Sequence, residues 1–217
     1  MTRVLFINPN RSAACGAGIE AAIAPVVGGA AARFDVVSLP AGSEAVLSWA
    51  DWHAAVPPVL ACIAREAAAV YVIACASDPG IEAARAATRA PVLGIFRAAV
   101  AAAIARAERF GVLAIVAASQ ARHRAALRAM GLEGRLAATE ALEVGMDVLL
   151  DPLAARTALI AAAGRCVAGG AEVVILGCTG MAHHRGAIEA AVGVPVIEPC
   201  QQAAALALGV VADGVAG

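Results

Sequence analysis

Lysine is missing from this chain of 217 residues, and all sixteen basic side chains are arginine. Without lysine there is no Schiff-base partner for pyridoxal phosphate and no P-loop side chain to reach nucleotide phosphates. Aromatic residues make up only 3%, while alanine supplies much of the 61% hydrophobic content. Helices must therefore pack closely through small side chains, helped by alanine's helix propensity. The six cysteines, Cys15, Cys62, Cys75, Cys166, Cys178 and Cys200, contain no C-x-x-C pair. A zinc ribbon or a thioredoxin-like redox motif thus has no support, and no metal is expected. Mean hydropathy is high at +0.80, yet charges interrupt every apolar stretch before the ~20 residues that a bilayer crossing needs. No membrane association is expected. The opening residues run straight into a strand without signal-peptide architecture, which points to the cytoplasm and to reduced thiols. Net charge is −1 with arginines scattered along the chain, so the basic stripe of a nucleic-acid binder is absent and no nucleic-acid partner is expected.

What the chain does have is a duplicated pattern. Residues 69–74 form an apolar run ending at Cys75, followed by Ala76-Ser77-Asp78-Pro79-Gly80. Residues 171–177 repeat it, ending at Cys178-Thr179-Gly180-Met181. After each cysteine comes a helix and then Pro-Val plus another apolar residue, at Pro91 and Pro195, spaced 16 and 17 residues from the thiol. Two copies of strand, cysteine, helix and strand imply two similar halves, each contributing one sulfur.

Read in order, the chain alternates apolar strands with alanine-rich helices. Strands are expected at residues 4–7, 34–39, 69–74, 91–95, 111–116, 135–139, 171–177 and 195–197. Ser12 is a fitting N-cap for a first helix that Gly28-Gly29 ends. A helical stretch from Glu44 to about Ala68 should be interrupted near Pro57-Pro58. Further helices are expected from Pro79, over residues 98–109, from Ser119 to Gly131, from an Asp151-Pro152 start to Gly169-Gly170, from Met181, and from Pro199 to the end. Such alternation predicts an α/β fold of two lobes, each a parallel sheet flanked by helices. The first lobe is expected to span residues 1–97 plus a returning C-terminal helix over about 200–217, the second 98–199. A pseudo-twofold relation would put the active site between them.

Ligands of open parallel α/β sheets bind beyond the carboxyl ends of the strands, where both Cys75 and Cys178 fall. A helix N-terminus behind each sulfur would favour the thiolate and lower its pKa. A cysteine in a core usually just fills space, which suits Cys15, Cys62 and Cys166, whereas packing gives no reason for thiols at two repeat-equivalent strand tips. Cys200, after Pro199 at another helix start, is a third thiol that could react. Two thiols flanking one carbon can remove a proton on one face and return one on the other, one starting as thiolate and the other as thiol. Asn8 and Asn10, the only two asparagines, could hydrogen-bond a polar substrate from the first strand tip. Ser43, Ser77, Ser119 and Thr179 are hydroxyls at strand-to-helix turns that cap helices or donate to a developing enolate. Asp78 reads as a helix cap, and His183 and His184 as residues outside the chemistry.

At Ile7-Asn8-Pro9-Asn10, Gly42-Ser43-Glu44, Cys75-x-Ser-Asp-Pro-Gly, Gly177-Cys178-Thr179-Gly180-Met181 and Glu198-Pro199 the chain resembles the aspartate/glutamate racemase superfamily, most of all its hydantoin and allantoin racemase branch. The resemblance implies two α/β lobes, cofactor-independent proton transfer by paired cysteines, a small-molecule substrate and homo-oligomeric assembly. It makes Cys75 and Cys178 the acid/base pair and Asn8, Ser77, Ser119 and Thr179 pocket residues, with Ser43, Ala76 and Gly180 counted beside them. Where the hydantoin branch usually has an aromatic and a glycine after the first cysteine, this chain has Ala76 and Ser77, and Ala76 would leave a roomier or differently shaped pocket. Thr179 replaces the alanine frequent in that branch. No arginine adjoins either cysteine in sequence, which suits a neutral cyclic amide better than a carboxylate beside the reacting carbon. The expectation is a racemase of a 5-substituted hydantoin or related ureide. The alternatives are an amino-acid racemase, a decarboxylase or cis–trans isomerase on the same scaffold, and a non-catalytic binding protein.

Overall fold

The structure, a computed structural model, describes residues 2–151 and 153–214. The expected helical role of Pro152 and the last three residues of the expected closing helix lie outside them. Among the described residues eight strands form two parallel sheets. The first holds β1 (Arg3–Asn8), β2 (Arg33–Ser38), β3 (Val70–Ile73) and β4 (Val92–Gly94) in the order β2-β1-β3-β4. The second holds β5 (Phe110–Ala114), β6 (Leu136–Ala141), β7 (Val173–Leu176) and β8 (Val196–Ile197) in the order β6-β5-β7-β8. Both halves therefore share one topology, and each cysteine stands two residues past the third strand of its sheet.

The helices are α1 (Ala13–Val27), α2 (Trp49–Ala54), α3 (Val56–Arg65), α4 (Ile81–Ala87), α5 (Ile95–Ile104), α6 (Ala117–Ala129), α7 (Met146–Leu150), α8 (Arg156–Ala168), α9 (Arg185–Val192) and α10 (Pro199–Ala212). Among the described residues none is long and apolar enough to cross a membrane. The central strands β1, β3, β5 and β7 are buried on both faces because helices cover each sheet twice. Alternate strand residues feed separate cores. Val4, Phe6, Val70 and Val72 join α1 and α10, while Leu5, Ile7, Tyr71 and Ile73 join α3 and α4. Leu113, Val174 and Leu176 join α8, and Phe110, Val112, Val173 and Ile175 join α5 and α6.

Helix α5 bridges the two sheets. Its Ile95 and Ala98 belong to the core of the first sheet, its Phe96, Ala99, Val100 and Ala103 to that of the second. Cys200, Ala203, Ala204 and Ala207 place α10 over the first sheet. The duplication extends to two arginines: Arg85 donates to the Val92 carbonyl at 3.1 Å and Arg185 to the Val196 carbonyl at 2.8 Å, each pinning the last strand of its sheet.

Several local expectations are corrected. Residues 44–47 are not helical; α2 starts only at a capping box in which Ser48 and Asp51 satisfy each other's backbone N–H. The interruption expected near Pro57-Pro58 falls at Ala55, between α2 and α3, and the two prolines sit in the first turn of α3, which needs no N–H from them. Helix α5 begins at Ile95, not 98, because the Asp78 carboxylate accepts the N–H groups of Phe96 at 2.9 Å and Arg97 at 3.0 Å. Asp78 thus caps a helix, though α5 rather than the one directly after it. Asp151 ends α7, a helix absent from the expectation, and accepts from Leu153 and Ala154; α8 starts only at Arg156.

Candidate active site

Cys75 and Cys178 line one cavity of about 40 Å³ between the two sheets, together with Ala76, Ser77, Ser119, Thr179, Asn10, Val46, Leu47, Ile115, Met146, Gly177, Arg122 and His123. The walls thus come from the loops after β1, β3, β5 and β7, from α6 and α7, and from residues 45–47. Both thiols are free and partly exposed, whereas Cys15, Cys62, Cys166 and Cys200 are buried.

Of the residues expected at the site, Cys75, Cys178, Ala76, Ser77, Ser119 and Thr179 are brought together; Asn8, Ser43 and Gly180 are not among the lining residues. Asn8 is fully buried, and its amide donates to Asn10 Oδ1 and Ser38 Oγ, both at 3.0 Å. It shapes the turn that presents Asn10. Ser43 Oγ donates to the Ala45 carbonyl at 2.8 Å and borders a neighbouring groove beside Met146 and Leu150. Gly180 packs where any added Cβ would meet Met146 and Leu149. Cys200 lies in the core over the first sheet with its thiol on buried Glu198, so burial pushes its pKa well up. His184 is buried and does not line the cavity, with Nε2 3.4 Å from the Leu149 carbonyl.

The expected lowering of the thiol pKa values is corrected. Burial pushes the Cys75 thiol up, tempered by the hydroxyl and backbone N–H of Ser77 and by Arg122. Its sulfur lies 3.7 Å from Ser77 Oγ, and α4 starts only at Ile81, so Cys75 is not in the first turn of that helix. Cys178 stands at the start of a 3₁₀ turn over Thr179–His184. Burial carries its pKa up to about 12; the Gly180 backbone N–H and Arg122 pull it down, while Cys75 and Cys15 push it further up. The charge of Cys75 thus bears on Cys178, and Cys75, with both the hydroxyl and the N–H of Ser77 on it, has the better support as thiolate.

Two functional candidates escaped the sequence reading. Arg122, on α6, is 3% exposed and donates to the carbonyls of Leu47 at 3.1 Å and Val46 at 3.2 Å and to Ser119 Oγ at 2.8 Å. No arginine adjoins the thiols in sequence, yet the fold inserts one. By contrast Arg97 pairs with Asp78 and Glu82 and does not line the cavity. His123 stacks on Phe96 with ring centroids 4.7 Å apart, and burial holds its pKa down to about 3, so it is neutral. The hint available beforehand was Ser119-x-x-Arg122-His123, polar residues on consecutive turns of an otherwise alanine-rich helix.

The shared topology has counterparts. A family model described as Asp/Glu/Hydantoin racemase matches residues 4–207. The hydantoin racemase of Pseudomonas sp. (strain NS671) is 33% identical over 205 residues, covering 90% of this chain and 80% of that protein. The hydantoin racemase of Paenarthrobacter aurescens is 32% identical over 222 residues, covering 98% of this chain and 92% of that one. The solved allantoin racemase from Klebsiella pneumoniae superposes with a TM-score of 0.87 at 28% identity, covering 100% of this chain and 90% of that chain.

Proposed function

Since the chain belongs to the Asp/Glu/Hydantoin racemase family and is an isomerase, we propose that it racemises a 5-substituted hydantoin or a related ureide such as allantoin. In this reading it works without a cofactor, as a cytoplasmic homo-oligomer, and Cys75 and Cys178 are the acid/base pair. One observation carries it: a single cavity holds the thiols that follow the third strand of each sheet.

The substrate carbon sits between the sulfurs. The Cys75 thiolate takes its proton and becomes a thiol, while the C–H electron pair moves into the adjacent carbonyl as an enolate. The Cys178 thiol then delivers its proton to the opposite face and is left as thiolate, and the reverse reaction exchanges the roles. Ser77, Ser119 and Thr179 supply hydroxyls to the developing enolate oxygen. A neutral ring suits the site because Arg122 already spends its terminal nitrogens on Leu47, Val46 and Ser119. A free amino acid would need such a fork for its carboxylate. The relatives named hydantoin racemase support the same choice.

The test follows the loss of optical rotation of single enantiomers of substituted hydantoins, allantoin and free amino acids. It also follows exchange of the reacting hydrogen with deuterated water, in wild type, Cys75→Ser and Cys178→Ser. Racemisation of a hydantoin or ureide that both variants lose is the expected result. Either variant racemising at the wild-type rate would refute the two-thiol assignment; turnover of amino acids alone would refute the substrate class.

A further inference from the structure

A guanidinium buried with no carboxylate in ion-pair contact needs a reason, and Arg122 is one. It is 3% exposed, and none of the ion pairs among the described residues includes it. Its hydrogen bonds all go to neutral acceptors, and its buried Nε–H has no partner. Leaving a buried cation uncompensated is strongly unfavourable, and hydrophobic replacements are frequently more stable. The side chain nevertheless stands in the wall of the cavity that holds both sulfurs.

We propose that Arg122 is the resident counter-charge of this site: it balances the one negative charge that passes from thiolate to enolate to thiolate, and holds residues 46–47 over the cavity while doing so. The proposal rests on the two-thiol reading. In that cycle the site carries a single negative charge at every stage, since each proton gained by one sulfur is matched by the charge appearing on the substrate or on the other sulfur. One fixed cation serves all stages without moving. The two thiols act on Arg122 from the loops after β3 and β7, Asp51 acts on it from α2, and neutral His123 is its neighbour on α6. Asp78 affects Cys75 in the sense opposite to Arg122, Cys15 acts on Cys178, and Cys200 lies within electrostatic reach of both. Arg122 is the cation that acts on both active thiols.

The experiment compares Arg122→Met and Arg122→Lys with wild type by three readouts: the pH dependence of Cys75 alkylation by iodoacetamide, read by peptide mass spectrometry; kcat; and Tm. Arg122→Met should move the alkylation midpoint of Cys75 up by about one pH unit or more. It should lower kcat at neutral pH roughly a hundredfold, with partial recovery at higher pH. Its Tm should hold or rise, and Arg122→Lys should keep the midpoint nearer to wild type. An unchanged Cys75 midpoint in Arg122→Met overturns the proposal, whatever happens to kcat or Tm. If that variant fails to fold, a midpoint in Arg122→Lys that has moved up by about a unit overturns it instead. Alkylation needs no turnover, so this result stands apart from the serine variants, which decide the two-thiol reading.

Discussion

The carboxylate of Asp78 reaches across eighteen residues to accept the backbone N–H of Phe96 at 2.9 Å. It also accepts from the N–H and guanidinium of Arg97, and so joins the Cys75 loop to the start of the helix that packs into both sheets. The residue adopts φ of +46°, a left-handed conformation that Asp tolerates better than most. Asp78→Ala should lower the unfolding free energy by about 1–3 kcal/mol, the range for losing a cap and leaving buried donors unpaired. Urea titration checks this, and an unchanged midpoint would show that the cap is dispensable.

His123 makes stability sensitive to acid. Its pKa is about 3 in the folded protein against 6.5 for the free side chain, so its contribution is complete above pH 6.5 and is lost as pH falls towards 3. The loss amounts to a few kcal/mol at most. Asp78 acts the other way: burial lifts it to about 6, so its contribution is present below the ordinary carboxylate range and fades as pH rises through 6. Unfolding measured from pH 7 down to pH 4 should show a net loss that is smaller in His123→Gln than in wild type.

Activity should favour alkaline conditions. Burial raises both thiols, Cys178 to about 12, so the thiolate fraction grows nearly tenfold per pH unit above neutrality. The rate should climb from pH 7 to 9 and fall once both sulfurs ionise, because the second must still carry a proton. A pH–rate profile that is flat across this range would contradict the thiol assignment.

Two glycines give opposite outcomes. An added Cβ at Gly177 falls on the Leu113 carbonyl oxygen and comes within 2.7 Å of the His123 ring. Gly177→Ala should therefore cost about 1–3 kcal/mol and most of the activity, since the strand delivering Cys178 must shift. Gly164 on α8 is exposed and meets nothing within 4 Å. Gly164→Ala should raise stability by about 0.5–1 kcal/mol and leave the rate unchanged. Thermal unfolding and polarimetry on the two variants separate these effects.

The central strands β1, β3, β5 and β7 were legible because each is a short apolar run whose burial on both faces forces that composition. The cysteine pair was legible because duplication writes the same local pattern twice, and the family resemblance rests on those same motifs. Local chemistry also located Ser12 and the turn at Gly131, where φ of +71° suits a residue without a side chain. What stayed hidden depends on segments far apart in the chain: Arg122 joins Cys75 and residues 46–47, Asp78 caps α5, and Asn8 turns into the interior while Asn10 faces the cavity. The direction of the thiol pKa shifts belongs to the same class. A helix end acts through neighbours in sequence, but desolvation acts through everything that closes around a group, and here the closing walls come from both halves of the molecule.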